Sequence, residues 1–365
     1  MFRLLTFFLL ISFAAAAQPI RGCYATNWAR YRSGVGSFDL LRNYQPGICT
    51  HVFWAFATVN ASDLKVYPTD AYDWQSYNQL RQLKQRQPGL KTLISIGGAN
   101  FDSSTFASAA AQSQVFARNV MSFLQCNGFD GVDLDWEYPT AQQRSAFTTL
   151  MRALRTQAGN RYLVTAAVSA GIQTAQPIYD FQALKNAVDF LNVMTYDYHG
   201  SWDQQTGLLA PLNSNDQLNV NATIQFYLSS GFPAQKIVLG IPTYGRGWTL
   251  YSNQLQGVGA PASGPSAPQA ITQSAGILAY YEACQIVKNG AQVSWDAMGR
   301  APYMQQNNQW FTYPNTNSVS FMAWYSKQMR LAGCFVWAID YDDFTGSCGG
   351  IKYPLLNTIA TYLLN

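Results

Sequence analysis

Eight short apolar runs recur along this chain, and most are separated by stretches with helical periodicity. They are 23–28 (CYATNW), 51–57 (HVFWAFA), 91–96 (KTLISI), 130–137 (DGVDLDWE), 162–168 (YLVTAAV), 190–196 (FLNVMTY), 236–241 (KIVLGI) and 333–339 (GCFVWAI). Each has the length of a β-strand, and 73–86, 103–126, 141–158 and 214–230 read as helices between them. A helical crossover returns the chain to the same end of a sheet, so successive strands pair in parallel. Eight such units predict an α/β chain closed as a (β/α)8 TIM barrel. More than ninety residues separate the seventh run from the eighth, too many for one crossover helix. The loop-like "GVGAPASGPSAPQA" and the short apolar segments after it predict a small α+β insertion between strands seven and eight, at about 245–316.

The fourth run is unusual. "DGVDLDWEYP", residues 130–139, crowds four carboxylates together in a chain with 19 Asp plus Glu in all. Side chains alternate across a strand, so Asp133, Asp135 and Glu137 share one face while Val132, Leu134 and Trp136 share the other. In a barrel the acids then look inward. Glu137 lies furthest toward the C-terminal end, where barrel active sites are built. Asp130 has the wrong parity to join the row and is expected to tie down the start of the strand. Like charge and burial both raise carboxyl pKa values, so at least one acid should keep its proton near neutral pH, as a general acid must. The bland alternative is a solvated acidic patch, which the alternating apolar residues disfavour; a carboxylate-only Mg²⁺ or Ca²⁺ site stays open.

Residues 1–17, "MFRLLTFFLLISFAAAA", combine an early Arg, an apolar run and a string of alanines. They predict a signal peptide cleaved after Ala17 and a secreted, extracellular mature chain of residues 18–365. No later segment is apolar enough to predict a membrane span. The formal charge of +4 forms no Lys/Arg run, which disfavours nucleic-acid and anionic-membrane partners and favours a neutral substrate. Aromatics reach 15%, so some are surplus to a core. All six cysteines follow the signal, where disulfides form, but six allow fifteen full pairings. With two histidines and no C-x-x-C, zinc is not expected, and neither is any cofactor. Asn60-Ala-Ser and Asn221-Ala-Thr are glycosylation acceptors if their loops are exposed.

"DGVDLDWEYP" also matches the D-x-x-D-x-D-x-E signature of family 18 glycoside hydrolases, the chitinases and their relatives. "CYATNWARYR", "SIGG", "MTYDYHGSW", "GIPTYGRGWTL" and "VWAIDYDDFTG" resemble other segments of that family, in the family's order. The resemblance implies a secreted, monomeric chitinase acting on chitin or chitooligosaccharides with retention. It implies Glu137 as the general acid/base and the substrate's own acetamido carbonyl as the nucleophile. Strand spacing alone leaves Asp135 open as a conventional nucleophile. By the family pattern Asp135 instead orients the acetamide, Asp133 shares charge behind it, and Tyr196 holds the acetamide from the opposite side. Gly98, Asn100, Met194, Asp197, Tyr244 and Arg246 match positions that contact substrate. Tyr24 and Trp337 match residues that line and floor the cleavage subsite, and Trp28 and Trp202 match platforms on either side of it. Tyr138, Trp54, Trp74 and Trp248 are read as structural.

One position departs from the pattern. The family follows "SIGG" with a stacking Trp, whereas this chain has Ala99, so weaker grip on long substrates is expected. The resemblance favours disulfides Cys23–Cys49 and Cys284–Cys348, leaving Cys126 and a buried Cys334. It also brings a rival function, a chitinase-like lectin that binds without cleaving; such relatives typically lose the catalytic Glu or its Asp neighbour, and both are present here. Within the fold, an endo-β-N-acetylglucosaminidase acting on N-glycans is the other reading. The insertion argues for a deep cleft suited to linear chains, and no appended chitin-binding module is expected.

Overall fold

A computed structural model describes residues 18–365; the expected signal peptide, residues 1–17, lies outside the described residues. The eight apolar runs form eight parallel strands: β1 (Ile20–Thr26), β2 (His51–Val59), β3 (Lys91–Gly97), β4 (Gly131–Asp135), β5 (Leu163–Ser169), β6 (Phe190–Met194), β7 (Ile237–Pro242) and β8 (Gly333–Trp337). Each pairs with its sequence neighbours, and β1 pairs with both β2 and β8, which closes the barrel. Tyr24, Phe53, Leu93, Phe190, Val238 and Phe335 fill the interior, and the opposite parity of each strand packs beneath the helices. Register sets Asp133 level with Ser95 on β3 and Thr165 on β5, so the acids of β4 meet polar neighbours inside.

Between β7 and β8 the chain builds an antiparallel sheet. Its strands span Tyr244–Leu250, Ala262–Pro265, Ile277–Ala279, Gln292–Asp296, Ala301–Gln306 and Gln309–Thr312, with a helix at Tyr280–Lys288. Leu278, Met304 and Phe311 form one small core there, and Trp248 and Trp310 another.

Several boundaries differ from the sequence reading. The helix expected at 103–126 is two, Ser103–Ala111 and Ser113–Asn127, because Gln112 leaves helical geometry (φ −124°, ψ 41°). The helix expected at 214–230 is Val220–Ser229, since the Asn219 side chain caps it by accepting from the Ala222 N–H. β4 stops at Asp135, which leaves Glu137 in the loop beyond it. Asn60 is exposed, but Asn221 is half-buried in the first turn of that helix and accepts from the Tyr325 hydroxyl at 2.9 Å, so it is not on an exposed loop. Trp54 and Trp248 are buried, whereas Trp74 is 55% exposed.

Cys23–Cys49 and Cys284–Cys348 are bonded; Cys126 is an exposed thiol, and Cys334 is buried toward the helices, where burial pushes its thiol up to about 12. Asp130 ties the start of β4 to β3 by accepting from the Thr92 N–H at 2.8 Å and from Lys84. At the other end of the barrel, wholly buried Asp340 accepts from the N–H and hydroxyl of Thr26, both at 3.0 Å, and from Arg32 at 2.6 Å. This clamp joins the end of β1 to the turn after β8. Asp340→Ala leaves Arg32 buried without its partner, and a loss of about 3–5 kcal/mol is expected in urea denaturation. A loss below about 1 kcal/mol would mean that water replaces the carboxylate.

Candidate active site

The C-terminal ends of the strands surround a cleft of about 640 Å³. Trp337, the last residue of β8, stacks on Phe56 (centroids 5.6 Å apart, 24° between planes), and both rings line the cleft. Trp28, Gly98, Asn100, Met194, Tyr244 and Arg246 are on its walls, as are Asp135, Glu137, Tyr196 and Asp197. Ala99 sits beside them. Gly98 has φ +93°, and a Cβ there would lie 2.6 Å from the Phe56 ring, so no larger residue fits.

The three carboxylates inside differ sharply in their surroundings. Asp133 is wholly buried and takes four hydrogen bonds. Tyr24 and Ser95 donate to Oδ2 at 2.7 and 2.8 Å, and Thr165 and Asn192 to Oδ1 at 2.7 and 3.4 Å. Burial pushes this carboxyl up, and those four donors pull the other way. Asp135 is 2% exposed, and its Oδ1 is buried with no hydrogen-bond partner. Burial, then Glu137, then Asp133 push it well above the carboxylate range. Glu137 is pushed up to about 7, first by burial and then by Asp197, against the pull of a hydrogen bond from Tyr138. Burial is thus the largest cause for all three, and repulsion from neighbouring carboxylates is a smaller one for Asp135 and Glu137.

Across the cleft, the Tyr196 ring packs edge-on against Tyr244 and Phe335. Burial holds its hydroxyl well above the ordinary tyrosine range, so the group stays a hydrogen-bond donor. Arg246 grips Asp197 with two bonds, Nε to Oδ1 at 2.9 Å and Nη2 to Oδ2 at 2.6 Å. Its guanidinium lies 5.1 Å from the Trp202 ring centroid and 5.5 Å from that of Tyr244. Asp197 has φ +57°, a left-handed conformation that Asp tolerates better than most residues.

One expected cleft residue lies deeper, and another stands at the rim. Tyr24 does not line the cleft; it is buried beneath it, stacked on Phe53, with its hydroxyl turned to Asp133. Its place in mid-strand, two residues before the end of β1, puts it one layer below the mouth. Trp202 is 59% exposed and lies against Arg246, which lines the cleft, so its ring stands at the rim rather than inside. Phe56 and Tyr341 were missed from sequence although both line the cleft. Strict alternation on β2 turns Phe53 and Ala55 inward and Phe56 outward. A bulge between Ala55 and Ala57 reverses this, and alternation gives no sign of it. Among the described residues, no group of three or more His, Cys, Asp or Glu is placed to hold a metal ion.

The profile of glycosyl hydrolases family 18 matches residues 21–342. This chain belongs to that family. It is 37% identical to the endochitinase of Brugia malayi over 99% of its own length and 76% of that protein. Among solved structures, the immunomodulatory active chitinase of Trichuris suis superposes with a TM-score of 0.92 at 38% identity, covering 95% of this chain and all of that one. Human YKL-39, described as a pseudo-chitinase with retained chitooligosaccharide binding, superposes with a TM-score of 0.91 at 36% identity over 95% of this chain and all of its own. The family 18 fold is therefore shared by proteins described as active and by one described as a pseudo-chitinase.

Because the folded protein holds the Glu137 proton more tightly than the unfolded chain does, it binds more protons between pH 4.5 and about 7. Stability associated with this group is greatest below that window and falls as pH rises through it. Glu137→Gln removes the penalty, so the variant should exceed wild type at pH 8 by about 1–3 kcal/mol and match it near pH 4. Thermal unfolding across pH checks this; parallel curves would mean that Glu137 ionises freely in the fold.

Proposed function

We propose that the protein is a secreted, monomeric, endo-acting chitinase. It hydrolyses β-1,4-linked N-acetylglucosamine chains with retention, using the substrate's acetamide as nucleophile. The observation that carries this reading is the buried, unpartnered Asp135 carboxyl between hydrogen-bonded Asp133 and a Glu137 pushed up to about 7. Relatives support the substrate class: the Brugia protein is named an endochitinase, and an Ostrinia furnacalis Group IV chitinase with a TM-score of 0.91 was solved in complex with allosamidin.

In this reading a sugar lies on Trp337 beneath the scissile bond. Protonated Glu137 gives its proton to the glycosidic oxygen as that bond to C1 breaks. The acetamide carbonyl oxygen bonds to C1 from the other face, and an oxazolinium ion forms. Asp135, lacking an internal partner, accepts the acetamide N–H and faces the positive charge that develops there. Asp133 stands behind it within a fixed set of donors. Tyr196 donates to the acetamide oxygen and sets its line of attack. Glu137, now ionised, takes a proton from the water that attacks C1 and reopens the ring.

A non-cleaving lectin is the second reading, favoured by the close likeness to YKL-39. Hydrolysis of a fluorogenic N-acetylglucosamine oligomer separates the two. Wild type should cleave, and Glu137→Gln should lose about 10²–10⁴-fold in kcat while still binding oligomer. Binding without cleavage by wild type would establish the lectin, and equal rates for the two would remove Glu137 from the mechanism. The acid role also fixes the alkaline limb of kcat, which should fall as pH rises past about 7, where Glu137 loses its proton.

A further inference from the structure

The end of the barrel opposite the cleft carries a charge that the sequence does not display as a run. Arg21 and Lys91 stand at the starts of β1 and β3. Arg81 and Lys84 reach the loop entering β4, donating to the carbonyls of Asn127 and Gly128 at 3.3 and 3.1 Å, and Arg86 ends the same helix. Arg155 donates to the carbonyls of Gly159 and Ala187 at 2.8 and 3.2 Å, beside Arg161 at the entry to β5. Lys236, at the entry to β7, donates to the carbonyls of Lys185 and Val188 at 2.8 and 2.7 Å, which brings Lys185 to the same rim. Lys327 is in the last turn of the helix Thr316–Gln328, and Arg330 is in the turn that leads from it into β8. Close to half of the chain's 23 lysines and arginines thus gather at one end. The carboxylates beside these strand starts, among the described residues, are Asp130 and Asp189, paired with Lys84 and Arg155.

Helix C-termini also point this way, and capping them is the ordinary use of such cations. Each contributes roughly half a negative charge, so about six helices offset about three of the positive charges and leave the rim strongly basic. A cation bonded to a neutral carbonyl keeps its charge. Adjacent strand starts are about 5 Å apart, within the Debye length of about 8 Å at physiological salt, so their potentials add. The overall charge of +4 thus conceals a concentration of cations at one end of the barrel.

We propose that this basic end binds an acidic polysaccharide, sulfated or carboxylated, and so holds the protein with its cleft turned outward. Arg81, Arg86, Lys91, Arg161, Lys327 and Arg330 are exposed and available to such a chain. Gly89, Gly159 and Asn160 beside them are exposed and carry no apolar side chain, while the nearby rings, Tyr162 under Arg161 and Trp324 one turn before Lys327, stack on no second ring among the described residues, so the cations are the main feature that a ligand would meet. Arginine forks pair readily with sulfate and carboxylate oxygens spaced along a flexible polyanion.

Chromatography and titration on heparin test this. Wild type should be retained at 0.15 M NaCl, roughly physiological ionic strength. The triple variant Lys91→Glu, Arg161→Glu, Arg330→Glu should bind at least about tenfold more weakly, with an unchanged unfolding midpoint, because those side chains face solvent. The control Lys65→Glu, Arg118→Glu, Lys352→Glu, equal in charge and also exposed, should stay retained. Hydrogen exchange with heparin bound should slow in the loops entering the strands and not around the cleft. Failure of wild type to bind, equal weakening of both triples, protection at the cleft, or tighter binding to phosphatidylserine vesicles than to heparin would each overturn the proposal.

Discussion

Enclosing carboxylates in the barrel is the constraint on which the rest of the site depends. Water no longer solvates Asp133 and Asp135, so their charge must be met by what the barrel supplies. Neighbouring strands meet the need of Asp133 completely, through one donor each from β1, β3, β5 and β6. Asp135, one step nearer the mouth, receives none of these and keeps a buried oxygen without a partner. The barrel thus satisfies the lower acid and leaves the upper one short of a donor. In the proposed function, the acetamide N–H of the substrate supplies the donor that the barrel does not.

The same burial explains how Glu137 can carry a proton at neutral pH. Two residues beyond the end of β4, it is in the cleft yet shielded enough for its ionised form to be disfavoured. Repulsion from Asp197 adds to this, and Arg246 limits it by gripping Asp197 on the far wall. A site that holds protons against burial is a site that costs stability. Folds commonly concentrate such local conflict where chemistry is performed.

Much of this was legible in the residues. Spacing of the eight runs gave the barrel, and period-two alternation gave the inward row on β4, because both follow from chain geometry that no distant contact alters. Phe56 was not legible, since a bulge moves it into the cleft and bulges leave no mark on a pattern of alternation. Tyr24 was assigned to the cleft wall when its depth along β1 places it one layer below. The break at Gln112 is a local departure of the backbone from helical geometry, and the late start of the helix at Val220 reflects the Asn219 cap; an apolar pattern reports neither. The basic rim was invisible for a different reason: each strand entry contributes one or two cations, and only closure of the barrel assembles them.

The central claim is that burial makes Asp135 and Glu137 share a proton up to near neutral pH. Carbon-13 NMR of the labelled side-chain carboxyls, followed from pH 3 to 9, reads this directly. The account predicts that the pair loses its protons in two separated steps, the later one well above the ordinary carboxylate range, and that Glu137 in the Asp135→Asn variant still titrates above the ordinary glutamate range. Both carboxyls fully ionised at pH 5 would contradict it.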